Sequence, residues 1–424
     1  MGLSLVSNII MANPYDKEEL AADGSPSGVE AEVSHIPFEP FDPASISIEA
    51  KVVPMDHLLR RLRQGSIRLA PAFQRKFVWD EERSSQLIES LMLRIPLPMF
   101  YVAANEDGSW DVVDGLQRLT TIRNFLLGEE IDSKGQKVVP EAEPFRLTKL
   151  EFWGEKFDDK TFFEMEGEKA YARVINNIME TELRFTVINP ATPEEVKRNI
   201  FKRINTGGMP LTAQEIRHAL YQGHSTNLLR EMVELPAFKA AVGQTIDDSR
   251  MAGRELILRF LAFFIRDVKQ YDGDMDRFLS DSMRIINCAP KFSADALRKI
   301  FKDSSPPRIK KWERKALLQK FDLAMTRCHD FFGDYAFRKA VPNMRRPPVN
   351  KALFEVWANV FARMSATEYQ LLSSRKTKFF KYYQLLLSQQ EFERAISRDS
   401  SAVSGVYDRY SYINALVDRV LRGR

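Results

Sequence analysis

The segment Val113-Asp114-Gly115-Leu116-Gln117-Arg118-Leu119-Thr120-Thr121 constrains this chain more than any other. An apolar run, Pro98 to Ala103, and a shorter one, Trp110 to Val113, flank Asn105-Glu106-Asp107-Gly108. That pattern predicts a β-hairpin. An Asp-Gly pair then turns the chain into a helical pattern, with Leu116, Leu119, Ile122, Phe125 and Leu126 on one side. Asp114, Gln117 and Arg118 therefore crowd into a strand-to-helix turn. A helix start offers free N–H groups and a positive dipole end, which suit an anion such as phosphate. Arg118 can add a bidentate donor, and Asp114 a metal ligand or base. The same residues suit a plain helix start with a surface ion pair equally well. Thr120 and Thr121 can bond an anion or cap the helix.

The rest of the composition narrows the class. At 424 residues the chain is long enough for two domains. No run of about 18 apolar residues occurs, so no transmembrane helix is expected. The N-terminus lacks a basic n-region, so a secretory signal is not expected and cytoplasmic residence is the default. Cys288 and Cys328 lie far apart and read as two reduced thiols; no zinc site can be built from them alone. The net charge of +4 hides an asymmetry. Residues 1–50 hold nine acids and one Lys, a balance of −8, so residues 51–424 carry +12. A basic body of that kind suits nucleic acid or nucleotides, or is simply a solvated surface.

Residues 1 to about 45, rich in Pro, Gly, Ser, Ala and acid, read as disordered or loosely draped. From 46 to 215 short strands and helices alternate. Met55 to Gln64 is an amphipathic helix and Ile67 to Leu69 a strand. Asp80-Glu81-Glu82 starts a helix that turns Leu87, Ile88, Leu91 and Met92 inward and stops before Pro96. Gly128 to Pro144 is a polar excursion with a small hairpin. Glu182 to Ile188 alternates as a strand with Leu183, Phe185 and Val187 on one face. A helix from Pro193 to Ile204 ends at Asn205-Thr206-Gly207-Gly208, and Thr212-Ala213-Gln214-Glu215 is a capping box for the next. From 216 to 424 the pattern is helical nearly throughout. The fold class is thus α+β, a small mixed sheet with flanking helices followed by an all-α C-terminal domain.

Two further stretches carry polar chemistry. Pro71-Ala72-Phe73-Gln74-Arg75-Lys76-Phe77-Val78-Trp79 interleaves aromatics with polar side chains. Phe201-Lys202-Arg203-Ile204-Asn205-Thr206-Gly207-Gly208 joins a basic helix end to a turn, where Lys202, Asn205 and Thr206 can meet phosphate, ribose or base. Other chemistries are excluded by motif: there is no HExxH pair, no GxxxxGK[ST] loop and no GxSxG elbow.

Together the three stretches resemble the ParB/sulfiredoxin-like domain that forms the N-terminal half of GmrSD-type type IV restriction enzymes. The resemblance rests on Phe73-Gln74-Arg75 with Trp79, Ser90-Leu91 with Ile95-Pro96, Asp114-Gly115-Leu116-Gln117-Arg118, and Phe201 to Ile216. It covers most of residues 50–290 and implies nucleotide binding and hydrolysis coupled to recognition of modified or foreign DNA. Carried onto this chain, it implies a nucleotide site of Gln74, Arg75, Asp114, Gly115, Gln117, Arg118, Thr120, Lys202, Asn205 and Thr206. Asp114, Gln117 and Arg118 would be the catalytic set. Arg75 and Arg118 would hold phosphate oxygens, and Asp114 would position Mg²⁺ beside a nucleoside triphosphate. No haem, flavin or zinc is implied. Leu116 departs from the family's DGQQR turn, and a Leu neither donates nor accepts, so binding is favoured over turnover. Beyond residue 224 the only histidine is His329, too few for an HNH nuclease half, so cleavage would need a partner nuclease, with a methyltransferase as another expected companion.

The resulting expectation is a nucleotide-binding, NTP-hydrolysing sensor in anti-phage restriction, acting with DNA and compatible with an oligomer. The alternative is a non-catalytic DNA-binding or adaptor module with a vestigial pocket. Its candidate contacts are Arg345, Arg346, Arg375, Lys376, Lys378 and Lys381, interleaved with Phe379, Phe380, Tyr382 and Tyr383. Such a stretch is also what an amphipathic helix with its aromatics inward looks like.

Overall fold

Short β-prone runs and longer helical ones separate in space as they do in sequence. The computed structural model describes residues 17–32, 46–69, 79–204, 211–290, 292–301 and 312–423. These fall into two compact units, one within 39–220 and the other combining the described parts of 1–38 with 221–423.

The second unit begins at the N-terminus with a hairpin, β1 (Glu18–Leu20) and β2 (Pro26–Glu30). Residues 17–32 are thus ordered, where composition alone suggests disorder. The cause is long-range. Val29 is fully buried and bridges Val349, with Glu30 N–H donating to the Val349 carbonyl at 2.8 Å and Val349 N–H to that of Gly28 at 2.9 Å. Gly28 has φ +81°, and a β-carbon there would collide with the Thr245 carbonyl, so only glycine seats the strand this closely.

In the 39–220 unit the sheet is built from β3 (Ile48–Pro54), β4 (Ile67–Arg68), β5 (Phe100–Ala104), β6 (Trp110–Asp114) and β7 (Glu182–Ile188). The spatial order is β3-β7-β5-β6-β4. β3/β7 and β5/β6 are antiparallel, while β5/β7 and β4/β6 are parallel. Leu183, Phe185 and Val187 of β7 are buried on one face, as their alternation predicts. β3 has no such signature: Ile48 and Val52 are exposed and only Val53 is buried, so its backbone ladder with β7 holds it.

Helices flank this sheet: α1 (Met55–Arg63), α2 (Glu81–Met92), α3 (Leu116–Leu127), α4 (Gly154–Phe157), α5 (Phe162–Glu166), α6 (Ala172–Met179), α7 (Glu194–Ile204) and α8 (Ala213–Leu220). Asp80 caps α2, its carboxylate accepting from Arg83 N–H at 2.8 Å. The Thr212–Glu215 box caps α8, with Glu215 N–H to the Thr212 hydroxyl at 3.1 Å and Thr212 N–H to the Glu215 carboxylate at 2.6 Å. The polar excursion holds a small antiparallel bridge, Ile131 to Lys137. Because α8 packs on α7 and β6, the unit closes at 220 rather than at the 215/216 division suggested by sequence.

The remaining helices build the other unit: α9 (His224–Val233), α10 (Pro236–Val242), α11 (Ala252–Ile265), α12 (Met275–Asn287), α13 (Ala294–Ile300) and α14 (Arg314–Phe332). α15 (Lys351–Arg363), α16 (Ala366–Ser374), α17 (Lys376–Leu387), α18 (Gln390–Ile396) and α19 (Val403–Leu421) complete it. α11, α14 and α15 pack together through Phe260, Phe321, Phe331 and Trp357, all essentially inaccessible to water. No helix of the described residues is long and apolar enough to cross a membrane.

Candidate functional site

The β6–α3 turn is the centre of the site that the sequence singles out. Asp114 ends β6, Gly115 takes the left-handed conformation at φ 93°, and α3 begins at Leu116. Glycine is required twice over. The backbone is one that L side chains rarely adopt, and a β-carbon would run into the Phe100 ring and meet the Arg118 guanidinium at 3.1 Å. Gly115 has no side chain to cap α3, so the helix start is not closed by a capping hydroxyl or carboxylate.

Arg118 is drawn back across this turn. Its guanidinium donates to the Pro98 carbonyl, to the Met99 carbonyl at 3.2 Å and to the Asp114 carboxylate at 3.0 Å. Its flat face lies 4.4 Å from the Phe100 ring centre. The side chain is 12% exposed, against 38% for Asp114. Burial pulls the Arg118 pKa down and the neighbouring Asp114 charge opposes that pull. Arg118 is thus a brace that ties the approach to β5 onto the turn and orients Asp114. One carboxylate oxygen of Asp114 carries the Arg118 contact, and the group keeps a face toward solvent.

Around the brace the polar atoms divide. The Gln117 Oε1 is buried and has no hydrogen-bond partner, as has the hydroxyl of fully buried Thr121. Thr120 is half-buried. Leu116 packs against the core of the unit, so the position that departs from the family turn is used for packing. Lys202 lies half-buried in the last turn of α7, apart from the β6–α3 turn in sequence but on a helix that packs against α8, which in turn packs on β6. Gln74, Arg75, Asn205 and Thr206 lie outside the described residues. The structure therefore brings together Asp114, Gly115, Gln117 and Arg118.

Sequence reasoning missed the polar face of α8. Gln214, Arg217 and His218 are each at most 4% exposed, and Arg217 donates to Gln214 Oε1 at 3.0 Å while the Gln214 Nε2 has no partner. The available signal was a run of polar residues, Gln214-Glu215-Ile216-Arg217-His218, at positions a short capped helix must bury; buried polar groups are costly unless matched.

In the helical unit three of the six cations proposed for nucleic acid are engaged with backbone. Arg375 donates to the carbonyls of Val420 and Leu421, both at 2.7 Å, and Lys378 to that of Gly423 at 2.9 Å, closing the end of α19. Lys376 donates to the Asp330 carbonyl at 3.2 Å. Phe379 and Tyr383 are buried against Trp357, so they are core rather than stacking platforms. Arg345, Arg346 and Lys381 are exposed. Both cysteines are free thiols; burial pushes each pKa up, furthest for Cys328.

A strand ending in Asp-Gly, an uncapped helix start and a capped return helix define a mixed-sheet domain with a polar turn at its centre. Residues 56–222 match the model of the GmrSD restriction endonuclease, N-terminal domain. The match begins in α1 and ends just beyond α8, so it spans the sheet unit apart from β3. No curated protein and no solved structure matches the chain.

Proposed function

We propose that the chain is a nucleotide-binding sensor or regulator in restriction of foreign DNA, acting with DNA and a partner nuclease. The observation that carries this reading is the Asp114–Arg118 turn inside a region similar to a restriction endonuclease's N-terminal domain. Nucleotide phosphates would sit at the start of α3, where backbone N–H groups and the dipole favour negative charge. Gln74, Arg75, Lys202, Asn205 and Thr206 would complete the pocket, with Thr120 behind it. Arg118, committed to two carbonyls and Asp114, would act by orienting the carboxylate.

The donor set suits Mg²⁺ in the form that ion prefers. Among the described residues no group of three or more His, Cys, Asp or Glu is assembled for a metal. Mg²⁺ accepts one or two protein oxygens and takes the rest from water and phosphate. Asp114, with the orphaned Gln117 Oε1 three residues further along the chain, would hold the ion, which would supply charge neutralisation on the phosphoryl oxygens.

The test is calorimetric titration with GTP, UTP, CTP and ATP, with and without Mg²⁺, alongside phosphate release. Binding that depends on Mg²⁺ in wild type and is lost in Asp114→Asn is the expected result. Absence of binding and of phosphate release in wild type would sink the proposal. A second reading, a DNA-binding or adaptor module with a vestigial pocket, is favoured by the packing of Leu116 and the full engagement of Arg118. Salt-dependent DNA binding without any nucleotide binding would select it.

A further inference from the structure

A cleft of about 390 Å³ opens on the sheet unit away from the sequence-predicted residues, between the last turn of α1, edge strand β4 and the β5–β6 turn. His57, Arg60, Arg61, Ser66, Arg68 and Asp107 line it. Among the described residues of that lining Asp107 is the one carboxylate, and it is already used. It accepts from Arg68 at 2.8 Å and from the Ser109 N–H and hydroxyl at 2.9 and 2.5 Å. The Ser109 bonds, then Arg68, hold its carboxyl below the ordinary range. Arg68 is therefore matched by a carboxylate, while Arg60 and Arg61 are not matched by one in this cleft.

The two unmatched guanidinium groups are held in place. Arg61 lies flat over the Trp110 ring, 3.8 Å from its centre, and donates to the Gly108 carbonyl at 3.0 Å. Its Nε is buried with no partner. Burial, then the charge of Arg60, draws its pKa down, so the two neighbouring like charges repel. Arg60 meets His57 Nε2 at 3.3 Å. Cations at a helix C-terminus usually answer the dipole there. Arg61 instead reaches across to the β5–β6 turn, which that explanation does not need.

We propose that this cleft is a docking site for the phosphodiester backbone of a nucleic acid. A phosphate between Arg60 and Arg61 would relieve their repulsion and accept from two guanidinium forks, with Gln64 as a neutral donor. The Trp110 face is covered by Arg61, so no ring is free to stack a base, and recognition is of phosphate rather than sequence. The choice of nucleic acid over an acidic peptide rests on the restriction reading above; the anion site itself does not.

The experiment is fluorescence anisotropy of the full chain with a labelled 20-base DNA of scrambled sequence, single-stranded and duplex, over a salt series. Arg60→Glu should weaken binding by about tenfold near 0.1 M salt and lower the slope of log K against log salt by about one, equally for unrelated sequences. Lys134→Glu, the same charge change on an exposed turn of the same unit, should leave affinity unchanged, and both variants should melt with wild type. Wild type that does not bind DNA, or Arg60→Glu that binds as wild type does, overturns the proposal. So does competition by polyglutamate as effective as that by DNA, which would assign the cleft to acidic protein segments. Nucleotide calorimetry on Arg60→Glu separates the two ideas, since loss of DNA binding with nucleotide titration unchanged fails neither.

Discussion

Two clusters of charge in this molecule are built in opposite ways. In the helical unit, Arg409 and Glu355 are both wholly buried and bonded at 2.5 and 2.8 Å, with Arg409 also donating to the Ser400 carbonyl at 2.6 Å. Arg259 lies among Glu32, Glu255 and Glu355, and Lys351 bonds Glu19 at 2.6 Å and Glu255 at 2.8 Å. Lys339 bonds Glu30 at 2.5 Å. In the α1–β4 cleft, by contrast, exposed Arg60 and half-buried Arg61 meet no carboxylate among the described residues. Buried cations that meet carboxylates are structural, because leaving either partner alone in low dielectric is costly. Restrained cations that meet none are available to a ligand. Arg118, read from sequence as ligand-binding, meets Asp114 and falls in the first class, and Arg375, read the same way, is engaged by backbone carbonyls; Arg60, not singled out from sequence, falls in the second.

The largest expected effect tests the matched class. Arg409→Ala should cost about 3–5 kcal/mol in denaturant unfolding, since it leaves Glu355 at zero exposure with only the longer 3.6 Å contact to Arg259. Burial already pushes the Glu355 carboxyl up against the pull of Arg409 and Arg259. Replacing both partners, Arg409→Met with Glu355→Leu, should recover most of the loss. A single variant that unfolds with wild type would show that the pair is not what holds α15 to α19.

The next effect is local to the turn. Gly115→Ala should cost about 1–3 kcal/mol through its positive φ and the clash with Phe100. Arg118→Ala should cost a similar amount by freeing the Pro98 and Met99 carbonyls, with the loss read as faster amide exchange at Met99 and Phe100. If Arg118→Ala left stability and exchange unchanged, the brace would be no brace, and its guanidinium would return as a phosphate ligand.

A third effect depends on pH. Burial pushes Asp248 up to about 6, with Arg254 at 3.0 Å pulling the other way. A carboxyl raised in the fold stabilises it while protonated. That contribution is complete below about pH 4, the unfolded value, and is lost as pH rises through about 6. Unfolding free energy should therefore fall by about 2–3 kcal/mol over that window from this group. Asp248→Asn, which still accepts the Arg254 N–H, should flatten that part of the profile; an identical profile would show that Asp248 does not titrate there.

The sequence made local structure legible and long-range charge matching invisible. The β5–β6 hairpin, α3, the Asp80 cap and the Thr212–Glu215 box follow from turn chemistry and apolar spacing within a dozen residues. The hairpin at 17–32 does not. Its acids read as a solvated tail, yet Glu30 accepts from Asn350 at 3.0 Å and Glu32 from Ser400 at 2.5 Å, partners more than 300 residues away. Arg259 and Lys351 hold the Glu32 carboxyl below its ordinary value against the cost of burial. β3 escaped because an edge strand with one buried side chain carries no alternation. At the site, Asp114 and Gly115 were legible because a tight turn needs them. The engagement of Arg118 with Pro98 and Met99 was not, since backbone carbonyls leave no mark in sequence.

The smallest expected effect is the sharpest test of the contrast. Arg60→Ala should change unfolding free energy by no more than about 0.5 kcal/mol, because Arg60 is exposed and bonds only His57 at 3.3 Å. Loss of its charge should even favour the fold slightly, by removing repulsion with Arg61. Raising salt should narrow the difference between wild type and variant, since the repulsion is between partly exposed groups. Urea unfolding at low and high salt measures both. A destabilised Arg60→Ala would mean that the cleft arginines, like Arg409, are already matched within the fold, and the two clusters would then be of one kind.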